Sequence, residues 1–166
     1  MSKEKRVKDI MRSIEALTAI MPDATIRSAL GSFQKPLDGA AESLLVVNGS
    51  NSESREVIGF LGLEDIVRGM ESFMVEDSAV TDSTPPIFWE GLFTEECKNE
   101  LEKQVRELMT PIEVTVNKND NLMKALHMMD SCNLRRVLVV EGQKAVGVVR
   151  LEDIFEQIAF IARETP

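Results

Sequence analysis

The spacing of apolar and polar residues predicts a strand, a tight turn, a second strand and a helix near the end of the chain. The apolar runs Val137–Val140 and Ala145–Val149 flank the polar turn Glu141–Lys144, which indicates a β-hairpin. The apolar residues that follow recur every three or four positions and predict one face of a helix: Leu151, Ile154, Phe155, Ile158, Ala159 and Ala162.

The same pattern occurs once earlier in the chain. Leu44–Val47 and Val57–Leu61 predict the two strands, and the residues of the helical face are Leu63, Ile66, Val67, Met70 and Phe73. Both copies pass from strand to helix through Gly-x-x-x-Leu-Glu-Asp-Ile, starting at Gly59 and Gly147. The chain is therefore a duplicated unit. A glycine inside a strand also indicates close approach of another backbone or of a ligand.

The remaining segments divide the chain into residues 1–74 as a first repeat, 75–104 as a connection and 105–166 as a second repeat. Thr25 and Asn121 are predicted helix caps in the two repeats, and Thr94 is a predicted cap in the connection. The acidic, Ser- and Thr-rich stretch Glu76–Pro86 is predicted to be a linker. Phe88–Phe93 holds three aromatic residues and is predicted to pack against the protein.

The order of these elements, with Gly-x-x-x-x-x-Asp at each crossing, resembles the cystathionine-β-synthase (CBS) domain, and its duplication resembles a tandem CBS pair, or Bateman module. The matching segments are Val7–Met11 with Val105–Pro111, Asp23–Leu30 with Asp120–Leu126, the two first hairpin strands and the two crossings. The resemblance implies an α+β fold of two βαββα repeats with three-stranded sheets. It also implies that the repeats pack sheet to sheet with pseudo-twofold symmetry.

The resemblance further implies a non-catalytic regulatory module that binds an adenine nucleotide (AMP, ADP or ATP) in a cleft between repeats. In the family an aspartate at the crossing holds the ribose hydroxyls, and Asp65 and Asp153 match it. A Thr or Ser meets the phosphate, and here Gly62 and Arg150 stand in its place. The other residues of the implied sites are Leu61, Thr115, Arg135, Arg136, Val137 and Val149.

The second repeat is the better candidate for an anion, because Arg135 and Arg136 stand where the first repeat has Glu42 and Ser43. We expect Arg150, with Arg135 or Arg136, to take the phosphate role.

Each of these residues also has a purely structural interpretation. Asp65 and Asp153 would favour the helix dipole from the first helical turn. Arg135 and Arg136 would be a solvated pair beside Glu141 and Asp130, and Arg150 would pair with Glu152 or another surface acid. The alternative function is a dimerisation or protein-interaction module whose ligand sites are degenerate, and the missing Thr or Ser at both crossings favours it.

Composition excludes several other classes. The net charge of −9 and a pI of about 4.7 argue against nucleic acid or an anionic membrane as a partner. No apolar run approaches the roughly 20 residues of a membrane span, which favours the cytoplasm. Cys97 and Cys132 form no metal or disulfide pattern, His127 has no catalytic partner at a suitable spacing, and no phosphate-binding glycine loop is present, so an enzyme is not expected.

A homodimer is expected from apolar helical residues beyond those one small core needs. These residues are Ile66, Met70, Ile154, Phe155 and Ile158. The sequence does not identify the regulated protein.

Overall fold

The structure, a computed structural model, describes residues 4–33, 43–49, 55–76 and 91–166, with side chains from 71 to 76 left aside. Its helices are α1 Val7–Ile10, α2 Ile26–Phe33, α3 Leu63–Glu76, α4 Leu92–Leu101, α5 Val105–Leu108, α6 Leu122–Ser131 and α7 Leu151–Glu164. Its strands are β1 Arg12–Ser13, β2 Ala19–Ile20, β3 Ser43–Asn48, β4 Glu56–Gly62, β5 Thr110–Pro111, β6 Thr115–Asn117, β7 Arg136–Glu141 and β8 Lys144–Arg150. A short 3-10 helix, Ile14–Ala16, follows β1.

The fold is α+β, as predicted, and the two hairpins are β3–β4 and β7–β8. Each hairpin lies in a four-stranded sheet, in the orders β2-β3-β4-β5 and β1-β8-β7-β6. The prediction of three strands per sheet is therefore wrong. The strands that it missed, β1 and β5, are two residues long, too short for an alternating pattern to show.

The chain forms two compact units, one made of Met1–Leu17 with Ile112–Pro166 and the other of Thr18–Pro111. The first segment of each predicted repeat thus belongs to the sheet of the other repeat: β1 pairs with β8, and β5 pairs with β4. The compact units therefore do not coincide with the repeats 1–74 and 105–166 drawn from the sequence.

Two strand glycines make this exchange possible. A Cβ on Gly147 would lie 2.5 Å from the carbonyl oxygen of Arg12 and 2.8 Å from the sulfur of Met11. A Cβ on Gly59 would lie 2.8 Å from the carbonyl oxygen of Thr110 and 2.9 Å from the sulfur of Met109. The close approach predicted at Gly147 is confirmed, Gly59 shows the same, and the group that approaches is the exchanged segment.

Each unit has its own hydrophobic core. Val7 lies in the core with the β7–β8 hairpin, and Val105 lies in the core with the β3–β4 hairpin. The main chain holds the exchanged segments in place as well. The Val7 amide donates to the Asp120 carbonyl at 3.0 Å, and the Val105 amide donates to the Ala24 carbonyl at 2.8 Å.

Two of the predicted caps are confirmed. The Thr25 hydroxyl accepts from the Ser28 amide at 3.1 Å, and the Asn121 side chain accepts from the Lys124 amide at 2.8 Å. Thr94 is no cap, because α4 already starts at Leu92.

The aromatic segment and the linker are described only at their ends. Phe93 is 74% exposed, so the packing predicted for Phe88–Phe93 is wrong at this residue. Phe88 and Trp89 lie outside the described residues, as does the predicted linker beyond Glu76. Among the helices that are described, none combines the length and the apolar character needed to cross a membrane.

Candidate functional site

Seven of the predicted ligand residues meet where β7 starts, β8 ends and α7 begins. Arg136 lies opposite Arg150, and Val137 lies opposite Val149. The Leu151 amide donates to the Arg135 carbonyl at 2.8 Å, which ties the start of α7 to the start of β7. The α7 site is the name used below for these seven residues: Thr115, Arg135, Arg136, Val137, Val149, Arg150 and Asp153.

Thr115 reaches this site because β6 runs parallel to β7. As the first residue of β6, Thr115 lies beside Leu138 and is exposed. The two valines are placed differently, since Val137 is 1% exposed and Val149 is fully buried, both within the core. Neither valine exposes a surface to a ligand in this structure. The side-chain chemistry of the α7 site is therefore that of its threonine, its arginines and its aspartate.

Asp153 and Arg150 form a buried ion pair at the N-terminus of α7, and each is 7% exposed. Oδ2 of Asp153 accepts from the Arg150 amide at 2.9 Å and from its Nε at 3.2 Å. Oδ1 accepts from Nη2 of Arg150 at 2.8 Å. Two parallel bonds to a guanidinium make a strong and directional pair. Arg150 pairs with the buried Asp153, where its structural interpretation expected Glu152 or another surface acid. The structural interpretation of Asp153 at the helix start has direct support.

The other two arginines differ in exposure. Arg136 is 7% exposed, whereas Arg135 is exposed and its Nη2 lies 3.4 Å from Oε1 of Glu152. Such a surface pair contributes little to stability and opens readily. The predicted solvated pair beside Glu141 and Asp130 is wrong, because Arg136 is buried and Glu141 bonds to Lys118 at 2.8 Å.

The corresponding place in the other unit, where β3 starts, β4 ends and α3 begins, holds Leu61, Gly62 and Asp65 and is called the α3 site. Leu61 is fully buried in the core, and Gly62 lies opposite Ser43. Asp65 is 1% exposed, and both of its carboxylate oxygens accept hydrogen bonds. Oδ2 accepts from the Gly62 amide at 2.7 Å, as Asp153 does from Arg150.

Asp65 is held from two further sides. Its Oδ1 accepts from the Thr110 hydroxyl at 2.6 Å and from Nη1 of Arg68 at 3.3 Å. Thr110 comes from β5, the exchanged segment, so Asp65 fastens that segment to the start of α3. The sequence did not predict this role of Thr110. The available signal was the match of Val105–Pro111 to the start of the chain, but the pattern did not show that the segment changes sheets.

Glu64 fills the space where a side chain on residue 62 would stand. A Cβ built on Gly62 would collide with both carboxylate oxygens of Glu64. At the α7 site the equivalent space belongs to the Arg150 side chain. The α3 site therefore places an acidic group where the α7 site places a basic one, which makes it a poor environment for phosphate.

Comparison with known proteins agrees with this fold. Residues 105–159 match the family model of the CBS domain. No curated protein matches the chain by sequence. Among solved structures, CBSX2 in complex with AMP aligns with a TM-score of 0.61 and 18% identity, over 95% of this chain and 98% of that one.

Two further structures show the same fold. The CBS domain of a bacterial CNNM/CorC family Mg²⁺ transporter in complex with ATP aligns with a TM-score of 0.65 and 18% identity, over 93% of this chain and 87% of that one. The CBS-domain pair of protein MJ0100, in complex with 5′-methylthioadenosine and S-adenosyl-L-methionine, aligns with a TM-score of 0.62 and 18% identity, over 95% and 98%. The fold of this chain is thus that of solved CBS-domain pairs. Within the second repeat, residues 105–159 are similar to a CBS domain.

Proposed function

We propose that the protein is a non-catalytic regulatory module that binds an adenine nucleotide at its α7 site. Asp153 takes the ribose hydroxyls, and Arg150 with Arg135 or Arg136 takes the phosphate. The observation that carries the proposal is the meeting of three arginines and one buried aspartate at one sheet end. Structures of the same fold with AMP and with ATP support the ligand class.

Binding at this site exchanges partners within an existing ion pair. In the structure both oxygens of Asp153 are occupied by Arg150. When a nucleotide enters, the guanidinium moves to the phosphate, and the carboxylate accepts the ribose hydroxyls in its place. Each buried charge then keeps a hydrogen-bonded partner, which avoids the large cost of leaving one uncompensated.

At the α3 site we propose no phosphate binding, so one nucleotide binds per chain. Asp65 is committed to Gly62, Thr110 and Arg68, and Glu64 adds negative charge beside Gly62. The expectation that Leu61, Gly62 and Asp65 contact a ligand stays a prediction for an uncharged nucleoside.

The second candidate is a dimerisation or protein-interaction module with degenerate ligand sites. One observation favours it, namely that the Asp153 carboxylate is already satisfied by Arg150 without any ligand. The two functions differ in a simple respect. The first requires nucleotide to stabilise the fold, whereas the second requires only self-association or a partner protein.

Either function is compatible with a homodimer, which we propose to form through the exposed apolar stripe of α7. Leu151, Phe155 and Ile158 are 43%, 68% and 58% exposed and follow one helical face. The expectation that Ile154 belongs to this surface is wrong, because Ile154 lies in the core and is 5% exposed. A second copy of the chain could cover the stripe by closed twofold pairing.

The proposed compartment is the cytoplasm, where the free thiols of Cys97 and Cys132 stay reduced.

The dimer is tested separately, by light scattering of the wild type and Phe155→Lys. A dimer that becomes a monomer in the variant supports the interface, and a wild-type monomer at micromolar concentration contradicts it.

A thermal-shift panel of AMP, ADP, ATP, NAD and S-adenosylmethionine tests the ligand class. A ligand at a hundred times its Kd stabilises the native state by about 2.7 kcal/mol. We expect a shift with AMP, ADP or ATP that Asp153→Ala abolishes and Lys144→Ser leaves intact. Lys144 is a matched control, because it begins β8 while Arg150 ends the same strand. If no ligand shifts the transition at millimolar concentration, the degenerate-site function replaces the first.

A further inference from the structure

The helix α4 packs against α3 and α2 but adds little apolar surface to the core of its unit. Its residues Leu92, Cys97 and Leu101 are only half-buried. Within the described chain, no residue of α4 belongs to that core or packs against it. In α2, by contrast, Ile26 and Ala29 are fully buried in the core. Because buried apolar area is the main source of stability, α4 is held more weakly than α2.

The single buried residue of α4 is Glu100, whose carboxylate lies against α3. A Cβ built on Gly69 would collide with Oε1 of Glu100 and would lie 2.7 Å from Cδ2 of Leu108. The carboxylate therefore occupies the space that a side chain at residue 69 would need. Among the described residues, none donates a hydrogen bond to either of its oxygens. A buried charge without such a bond is costly.

The charged groups nearest to Glu100 compensate it only in part. Nζ of Lys103 lies 3.8 Å from Oε2, which is beyond hydrogen-bond distance. Burial raises the pKa of the Glu100 carboxyl above 4.5, Lys103 lowers it, and the carboxylates of Glu96 and Glu107 raise it again. The docked helix therefore binds this proton more tightly than a carboxylate in water does. Undocking becomes easier as pH rises from 4.5 towards the raised pKa.

The arginines of the neighbouring helices are paired with other carboxylates. On α3, Nη1 of Arg68 lies 3.3 Å from Oδ1 of Asp65. On α2, Nη2 of Arg27 lies 2.9 Å from Oε1 of Glu102. In the described structure neither arginine bonds to Glu100. The docked state thus loses the negative charge of Glu100 most readily by taking up a proton.

The chain that follows α4 is anchored, which fixes where the helix can turn. The Ile26 amide donates to the Lys103 carbonyl at 2.9 Å, and Val105 is fully buried in the core. Because α4 ends at Leu101, only Glu102 lies between the helix and the anchored chain. Movement about Glu102 would leave the exchanged segment in place.

We propose that α4 is a hinged helix, which stays on α3 while Glu100 is protonated and leaves α3 more often when Glu100 is ionised. In the docked state the ionised carboxylate is buried without a hydrogen bond, whereas water solvates it after undocking. Opening uncovers the face of α3 at Gly69 together with Leu108 of α5. This device lies outside the α7 site and does not depend on nucleotide binding.

Hydrogen exchange of the full chain, followed by mass spectrometry, tests the hinge. A helix of ten residues is not stable alone in water, so the amides of α4 exchange whenever it undocks. At pH 7, Glu100→Gln should slow their exchange roughly threefold to tenfold, because a neutral amide is cheaper to bury than an ionised carboxylate. Below pH 4.5 the difference from the wild type should vanish, once each rate is divided by the intrinsic rate at that pH.

Glu95→Gln is the matched control, since it removes the same charge from the same helix. Glu95 is exposed and lies 3.3 Å from Lys98, so its burial costs nothing on docking. The control should leave the exchange of α4 unchanged or make it slightly faster, because an acidic residue in the first turn favours the helix dipole.

Several results would overturn the hinge. Equal α4 exchange in wild type and Glu100→Gln at pH 7, or the same difference at both pH values, would show that ionisation of Glu100 is not the trigger. If α2 and the β3–β4 hairpin slow by the same factor as α4, the opening is global unfolding and there is no hinge. Exchange of α4 at the intrinsic rate in every protein would show that the helix is not docked.

Discussion

The α3 and α7 sites share a backbone plan and differ in chemistry. In both, a carboxylate in the first turn of a helix accepts the amide at the end of the preceding strand, at 2.7 Å for Asp65 and 2.9 Å for Asp153. The other hydrogen bonds that the two carboxylates accept differ. Asp65 binds Thr110 and Arg68, whereas Asp153 binds the Arg150 side chain.

The two sites therefore share the backbone arrangement of the repeat but differ in the ligands that their side chains can bind. Both copies have this cap at the helix start, so the aspartate alone does not indicate a ligand. The residue that ends the strand decides the charge of the site: Gly62 leaves room for the Glu64 carboxylate, and Arg150 introduces a guanidinium.

Removing the carboxylates gives the largest expected effects. Asp153→Ala leaves the buried Arg150 without this carboxylate and should lower the free energy of unfolding by roughly 3–5 kcal/mol. Combining it with Arg150→Met should restore much of the loss. Asp65→Ala should cost roughly 1–3 kcal/mol, since it leaves the Gly62 amide and the Thr110 hydroxyl unsatisfied. Chemical denaturation of the four proteins checks this, and equal costs without rescue would contradict the described difference.

Alanine at the strand glycines tests where the two units are alike. Gly147→Ala and Gly59→Ala force a Cβ against the backbone of the exchanged segment, and each should cost roughly 1–3 kcal/mol. Gly62→Ala meets only the end of the flexible Glu64 side chain, which can move, so its cost should stay below about 1 kcal/mol. Thermal unfolding distinguishes the two groups, and a Gly62→Ala cost as large as the others would mean that Glu64 is fixed.

Glu100 is a third buried carboxylate, but it lacks the hydrogen bonds that the two aspartates accept. It is 3% exposed, and in the described part of the chain neither of its oxygens accepts a hydrogen bond. Lys103 lies 3.8 Å away. Burial raises the pKa of the Glu100 carboxyl above its ordinary value of 4.5, against the lowering effect of Lys103. The folded state therefore holds this proton more tightly than the unfolded state.

It follows that the contribution of Glu100 to stability falls as pH rises from 4.5 towards the raised pKa. Glu100→Gln, which has no charge to bury, should be more stable than the wild type at pH 7, by about 1 kcal/mol. The difference should shrink at a pH below 4.5, where the wild-type carboxyl is protonated in both states. Melting curves of both proteins across this range check the sign, and an advantage that does not depend on pH would contradict the assignment to ionisation.

Another small expected effect concerns the hydrogen bond between the exchanged segment and Asp65. Thr110→Val keeps the shape of the side chain and removes the donor to Oδ1. It should cost about 1 kcal/mol. The matched change Thr115→Val, at an exposed position of β6, should cost less. Equal losses in denaturant titrations would mean that the Thr110 hydroxyl contributes nothing to holding β5.

The sequence predicted the hairpins and their helices because their periodicity reflects burial on one face, as at Val137–Val140 and Leu44–Val47. It also located the junction of β8 and α7, since the crossing motif marks where the strand ends and the helix begins. It could not predict that Arg150 would bind Asp153 rather than Glu152, because side-chain rotamers decide that choice. Nor could it predict the exchange of β1 and β5, because two-residue strands carry no period and long-range pairing leaves no local pattern.

The exchanged segments determine what happens when the chain is cut between the repeats or when one repeat is deleted. In each sheet, one strand comes from the sequence of the other repeat. In each core, one valine does too. A gene cut within residues 75–104 would yield two fragments, each with one open strand edge and one displaced segment carrying Val7 or Val105. Open edges invite pairing with other chains. Deletion of either repeat would thus remove a strand and a core valine from the one that remains. The topology therefore favours retention of both copies in one gene.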